Sequence, residues 1–178
     1  MLGTVLLYVA IVLINNGICR LAKIDGKTTS IMNIFVGFLS IVANIIVLIH
    51  GDMAQGSADI DGDGRVDFYA AATGLLFGFT YLFIACNNLF KLDTRAFGWY
   101  SLFVAINSIP AAYMSYISNT TEGFWFAVIW LAWGVLWLTG WIETVLKIEL
   151  PFVPYLSILE GIFTAWIPAW LILTGYWY

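Results

Sequence analysis

Apolar residues fall into six long runs, roughly 2 to 19, 30 to 50, 68 to 90, 97 to 117, 124 to 146 and 152 to 177, separated by short polar connections. Each run is close to the roughly 20 residues a helix needs to cross the hydrocarbon of a bilayer. The pattern predicts an all-α integral membrane protein of six transmembrane helices, folded as a single domain over residues 1–178. The longest polar connection is an acidic loop at 51–67. Composition agrees: 62% of residues are hydrophobic, 17% aromatic and 10% charged, against roughly a quarter charged in soluble domains. No stretch is left over for a soluble domain. Met1 leads straight into the first run with no basic segment before it and no small-residue cleavage site after it, so the run reads as helix 1 and not as a signal peptide.

The charges orient the spans. Arg20, Lys23, Lys27, Lys91, Arg95 and Lys147 all lie in the connections 1–2, 3–4 and 5–6, whereas the opposite side has Arg65. By the positive-inside rule the odd connections are cytoplasmic, and both termini and the acidic loop are outside. Cys19 and Cys86 fall on the inner side, where thiols stay reduced, and no disulfide is expected. The chain also matches itself. The segment "LLFGFTYLFIACNNLFKLD" (75–93) aligns without a gap on "LAWGVLWLTGWIETVLKIE" (131–149), at an offset of 56, and the first hairpin joins at an offset of 68. Those offsets superpose Lys23, Lys91 and Lys147; Gly37, Ala105 and Gly161; and Ser40, Ser108 and Thr164. The chain therefore reads as three parallel helix-hairpin repeats about an axis near the membrane normal, with a path along that axis. Close helix packing alone accounts for the small residues, and interfacial anchoring for the lysines.

Aromatic residues recur at helical spacing: Phe77 and Tyr81; Trp130, Trp133 and Trp137; Trp166 and Trp170. The repeat places Phe77 over Trp133 and Tyr81 over Trp137, in register with Val9 and Leu13. Those mid-span rings are candidates for a pore lining, whereas Trp125, Trp177 and Tyr178 suit an interfacial belt. Glu160 is the carboxylate well inside a span, roughly 12 Å along helix 6. Its repeat counterparts are Val36 and Val104, so its polarity is specific to one repeat. Intramembrane ionisable groups face a cavity or a partner. Asn15, Asn16, Asn87 and Asn88 add neutral donors and acceptors. Ring walls and a few amide groups, without paired cations, suit a small planar neutral solute. The "DIDGDGRVDF" stretch (59–68) holds Asp59, Asp61, Asp63 and Asp67, the first half of a calcium-loop pattern. Its twelfth place is Ala70 where a glutamate should close the shell, and Asp and Gly are equally good turn formers.

A membrane enzyme is disfavoured by the inventory: one histidine, no H-E-x-x-H pair, no Cys and His cluster and no glycine-rich phosphate loop. No catalytic residue, cofactor, bound metal or nucleic-acid partner is expected. A proton-coupled carrier using Glu160 stays open beside a passive channel, and composition does not separate urea from short amides.

At "LLYVAIVLINNGICRL" (6–21), "GLLFGFTYLF" (74–83), "WYSLFVAINSIPAA" (99–112), "WLAWGVLWLTGWIE" (130–143) and "EGIFTAWIPAWL" (160–171) the chain resembles the bacterial urea and amide channels, the urea branch more than the amide branch. The resemblance covers all six spans. It implies a hexamer of six-helix protomers in the lipid of the inner membrane, each with its own pore, passing urea or a small amide to a cytoplasmic urease or amidase. It also implies pore-lining aromatics at Phe77, Tyr81, Trp130, Trp133 and Trp137. An aliphatic constriction would lie at Leu6, Val9, Leu13 and Leu136, beside Asn16, with a pore glutamate at Glu160. Acid-gated members carry several external histidines. Here there is His50, and Tyr116 stands where a gating histidine is expected. Histidine-driven gating is therefore not expected, and His50, Asp59, Asp61, Asp63 and Asp67 are the remaining candidates for a pH response or weak calcium site.

Overall fold

The computed structural model of the protein describes residues 2–53 and 68–177, with the stretch 50–53 described by its backbone alone. Its regular elements are all helical: α1 (Leu2–Leu21), α2 (Gly26–Met53), α3 (Phe68–Phe90), α4 (Arg95–Tyr116), α5 (Thr121–Thr144), α6 (Val153–Glu160), a π-helical segment (Gly161–Trp166) and α7 (Ile167–Leu173). The last three form one continuous helix over Val153–Leu173. That helix, with α1, α3, α5 and the Gly26–Ile49 part of α2, makes five helices long and apolar enough to cross a membrane. The expectation of six apolar spans meets its exception in α4, which has 22 residues but carries Arg95, Ser101, Asn107, Ser108 and Ser115 among its apolar ones. Asp59, Asp61, Asp63 and Asp67 lie outside the described residues, and of His50 only the backbone, within α2, is described.

Polar caps explain why two helices begin earlier than their apolar runs. The Asp25 carboxylate accepts the Thr28 backbone N–H at 3.0 Å, so α2 starts at Gly26 and not at 30. Thr120 Oγ1 accepts the Gly123 N–H at 2.9 Å and starts α5 at Thr121. A hydrophobic window overlooks such polar first turns. Lys23, Lys91 and Lys147, the three lysines in sequence register, all adopt left-handed backbone with φ of 54, 52 and 60°. This conformation ends the preceding helix by turning the next N–H back to an orphan carbonyl, as Ile24 N–H to Cys19 O at 2.8 Å and Leu92 N–H to Asn87 O at 3.3 Å illustrate.

The tightest neighbours are α2 with α3, α4 with α5, and α1 with the α6–π–α7 helix. The helices joined across the lysine-bearing connections touch far less, so the hairpin is a unit of sequence and not of packing. Small residues decide the pairing. A Cβ on Gly78 would meet the Gly37 carbonyl at 3.1 Å, and one on Gly161 would meet the Ala10 carbonyl at 3.0 Å. Both contacts bring one backbone against the next. Val9, Leu13, Phe77, Tyr81, Trp133 and Trp137 are buried in one common core, whereas Trp166 and Trp170 face outward, about half exposed.

The π segment has a local cause. Pro168 offers no N–H to the carbonyl of Thr164 and its ring crowds that carbonyl. The helix widens by one residue, and the Ile167 N–H reaches Ile162 O instead.

Candidate functional site

At the lysine-bearing end of the bundle a cavity of about 430 Å³ opens among all the spanning helices. Leu13, Asn16, Phe77, Tyr81, Trp133, Leu136 and Trp137 line it, all of them expected path residues. Leu6, Val9, Trp130 and Glu160 do not; they are buried in the protein interior. Three of the lining residues belong to a cluster of rings. Phe77 has its centroid 4.7 Å from Trp133, 4.9 Å from Trp137 and 5.8 Å from Trp130, in edge-on and tilted arrangements that satisfy the ring quadrupoles. Trp130 and Trp133 meet edge-on at 5.2 Å. Rings from α3 and α5 thus pack into a plug, and the aliphatic Leu6, Val9 and Leu13 face the same core from α1.

The polar groups of this region are mostly paired inside the protein. Trp133 Nε1 donates to Thr164 Oγ1 at 2.8 Å, and Trp137 Nε1 to Thr80 Oγ1 at 3.2 Å. Asn16 and Asn33 form a reciprocal amide pair of 3.0 and 2.7 Å that joins α1 to α2. Two bonds leave Asn16 one N–H and one lone pair for the cavity. Asn88 also lines the cavity, Asn15 is half-buried away from it, and Asn87 is buried with its Oδ1 unpaired. Glu160 is 4% exposed, and neither of its carboxylate oxygens has a hydrogen-bond partner. The carboxyl group lies within electrostatic reach of the Tyr81 phenol. Two buried acceptors left open demand donors from elsewhere.

Several participants escaped the sequence reading. Arg20, valued there only for topology, makes a two-nitrogen ion pair with Glu143 at the cavity rim, with Nη1 to Oε2 at 2.7 Å. Glu143 also accepts the Leu150 N–H at 3.1 Å, tying the 145–152 connection to α1. Ser157 Oγ donates to the Leu13 carbonyl at 2.8 Å. Thr80 and Thr164 hold the indoles; an isolated hydroxyl in an apolar run was the signal, and the partner was not visible. Among the described residues, no group of His, Cys, Asp or Glu side chains is gathered to hold a metal.

Comparison with known proteins gives this geometry a lineage. The chain is 55% identical to the acid-activated urea channel of Helicobacter pylori, an alignment covering 99% of this chain and all of that protein. A Mycolicibacterium smegmatis protein named for transport of amidate substrates is 37% identical over 98% of this chain and 78% of its own length. Among solved structures, the cryo-EM structure of the Helicobacter pylori urea channel in a closed state superposes with a TM-score of 0.90, and the crystal structure of that channel with 0.89, each covering all of both chains at 55% identity. The family model for AmiS/UreI family transporters matches residues 1–176. With that match over nearly every residue, the chain belongs to the AmiS/UreI family of transporters.

Proposed function

We propose that this protein is a passive channel for urea, taking other small neutral amides less readily, in the bacterial inner membrane. The observation that carries the reading is the buried ring cluster of Phe77, Trp130, Trp133 and Trp137 at the head of a cavity, beside a carboxylate with unpaired oxygens. A flat solute slides between ring faces with little penalty, while its N–H groups supply what Glu160 lacks. An ion would shed water and find too few replacements. Leu6, Val9, Leu13, Asn16, Tyr81 and Leu136 complete the proposed path.

The finer architecture belongs to the same proposal. Residues 1–178 form one six-span domain of three parallel repeats, with both termini outside and the lysine-bearing connections inside. The shared left-handed lysines and the shared burial of Val9, Phe77 and Trp133 support the repeat. Their positive charge supports the orientation. A hexamer and delivery to a cytoplasmic urease are carried over from the family resemblance. An amide channel feeding an amidase is the second reading, favoured by the relative named for amidate substrates.

Stopped-flow light scattering of proteoliposomes under gradients of urea, acetamide, thiourea and glycerol tests the proposal. Urea is expected to move fastest, downhill and equally in both directions. Faster acetamide flux gives the amide reading; accumulation abolished by an uncoupler gives a proton-coupled carrier and overturns the channel.

A further inference from the structure

The two indoles nearest the cavity do not offer their N–H groups to it. Each is held by a threonine of a different helix, and each threonine is itself held. Thr80 Oγ1 accepts from Trp137 and donates to the Leu76 carbonyl at 2.6 Å; Thr164 Oγ1 accepts from Trp133 and donates to the Glu160 carbonyl at 2.6 Å. Because each hydroxyl proton is committed to a carbonyl one turn back, a lone pair is left aimed at the indole. Both threonines are buried, at 6% and 9% exposure. The relay through Thr164 ends on the backbone of the buried acid, at the start of the π segment. Ring packing alone does not set which edge of an indole faces the path; a buried N–H without an acceptor would turn toward any carbonyl available.

We infer that Thr80 and Thr164 are positioning residues that determine the selectivity of the path, by locking the Trp133 and Trp137 indoles with their N–H groups turned away from the solute. This rests on the channel reading above. A free indole N–H would grip a carbonyl or thiocarbonyl oxygen or sulfur and widen the gap between α5 and its neighbours. A locked one leaves a smooth face whose spacing from α3 and the last helix is fixed. Conduction through a narrow site needs such weak, replaceable contacts.

The test compares Thr80→Val and Thr164→Val, which keep side-chain shape and remove the acceptor, with Thr80→Ser and Thr164→Ser, which keep the hydroxyl. Proteoliposomes of the full chain give the ratio of urea to thiourea permeability, and ultraviolet resonance Raman spectra of the same samples give the hydrogen-bonding state of the indole N–H. Each valine variant is expected to lower the permeability ratio about threefold or more and to shift part of the indole N–H marker to its unbonded position. Each serine variant is expected to restore both. A marker shift with an unchanged ratio overturns the inference, as does an unshifted marker in both valine variants, or serine variants that regain the marker but not the ratio. Wild-type protein in heavy water, which needs no substitution to fold, is expected to keep a slowly exchanging, strongly bonded indole population; complete rapid exchange overturns the lock. If the wild-type protein moves no urea at all, the channel reading fails, and the spectra still decide whether the threonines hold the rings.

Discussion

Glu160 and Trp137 stand for two kinds of side chain on the proposed path, one that takes part by hydrogen bonding and one that takes part by shape. Replacing Glu160 by Gln keeps the volume and exchanges one carboxyl oxygen for an NH2 group. Urea permeability is expected to fall roughly tenfold, since one acceptor for the solute's N–H groups is lost and a hydrogen bond is worth about 1 kcal/mol. Trp137→Ala removes a ring from the plug against Phe77, and the expected outcome is a changed ratio of urea to glycerol flux without loss of urea transport. Both are read in the same proteoliposomes, and unchanged rates in both variants would move the path elsewhere. The acid was legible in the sequence because a carboxylate within a span is so costly. Phe77, Tyr81, Trp133 and Trp137 were legible as one buried face because helical spacing and the internal repeat align them, whereas Trp166 and Trp170, equally spaced, face outward. What was illegible was pairing at a distance: Asn16 with Asn33, Arg20 with Glu143, and each indole with its threonine, since residues far apart in the chain share no local signal.

Among the elements, helix ends and helix contacts carry the testable physics. A lysine in left-handed backbone is strained relative to glycine, and a β-branched residue there is worse. Lys91→Gly and Lys91→Val remove the same charge, so their difference isolates the backbone. The glycine variant is expected to be more stable than the valine one by about 1–2 kcal/mol, read from denaturation in detergent; equal stability would show that the φ of 52° at Lys91 is not a constraint. Hydrophobic runs located the long described helices to within a few residues. They failed at the caps of α2 and α5, where polar side chains extend the helix, and at the end of α7, which stops at Leu173 and not at 177. The sequence repeat suggested hairpins, yet packing follows the small residues that allow backbones to touch, and these lie between α2 and α3, α4 and α5, and α1 and the last helix.

For the molecule as a whole the question is pH. Two aspartates of the lysine-bearing connections are held below their ordinary range: Asp93 by hydrogen bonds from Arg95, and Asp25 by those from the side chain and backbone of Thr28. A depressed folded-state value means that their contribution to stability is complete above about pH 4 and is lost only as pH falls through the lower folded value. Neither group titrates in mild acid. With His50 as the single histidine, urea flux is expected to be level between pH 7 and about pH 5. A steep rise or fall near pH 6 would contradict this, and the thermal midpoint is expected to hold over the same interval. The close seating of α1 on the final helix also has a bearing on topology. A Cβ on Gly3 would lie 3.0 Å from Leu173 Cγ, so the contact between α1 and the final helix closes the circuit of neighbouring helices. The same adjacency makes the protein a natural subject for circular permutation, in which the old ends are spliced and new ones opened in the turn between α4 and α5.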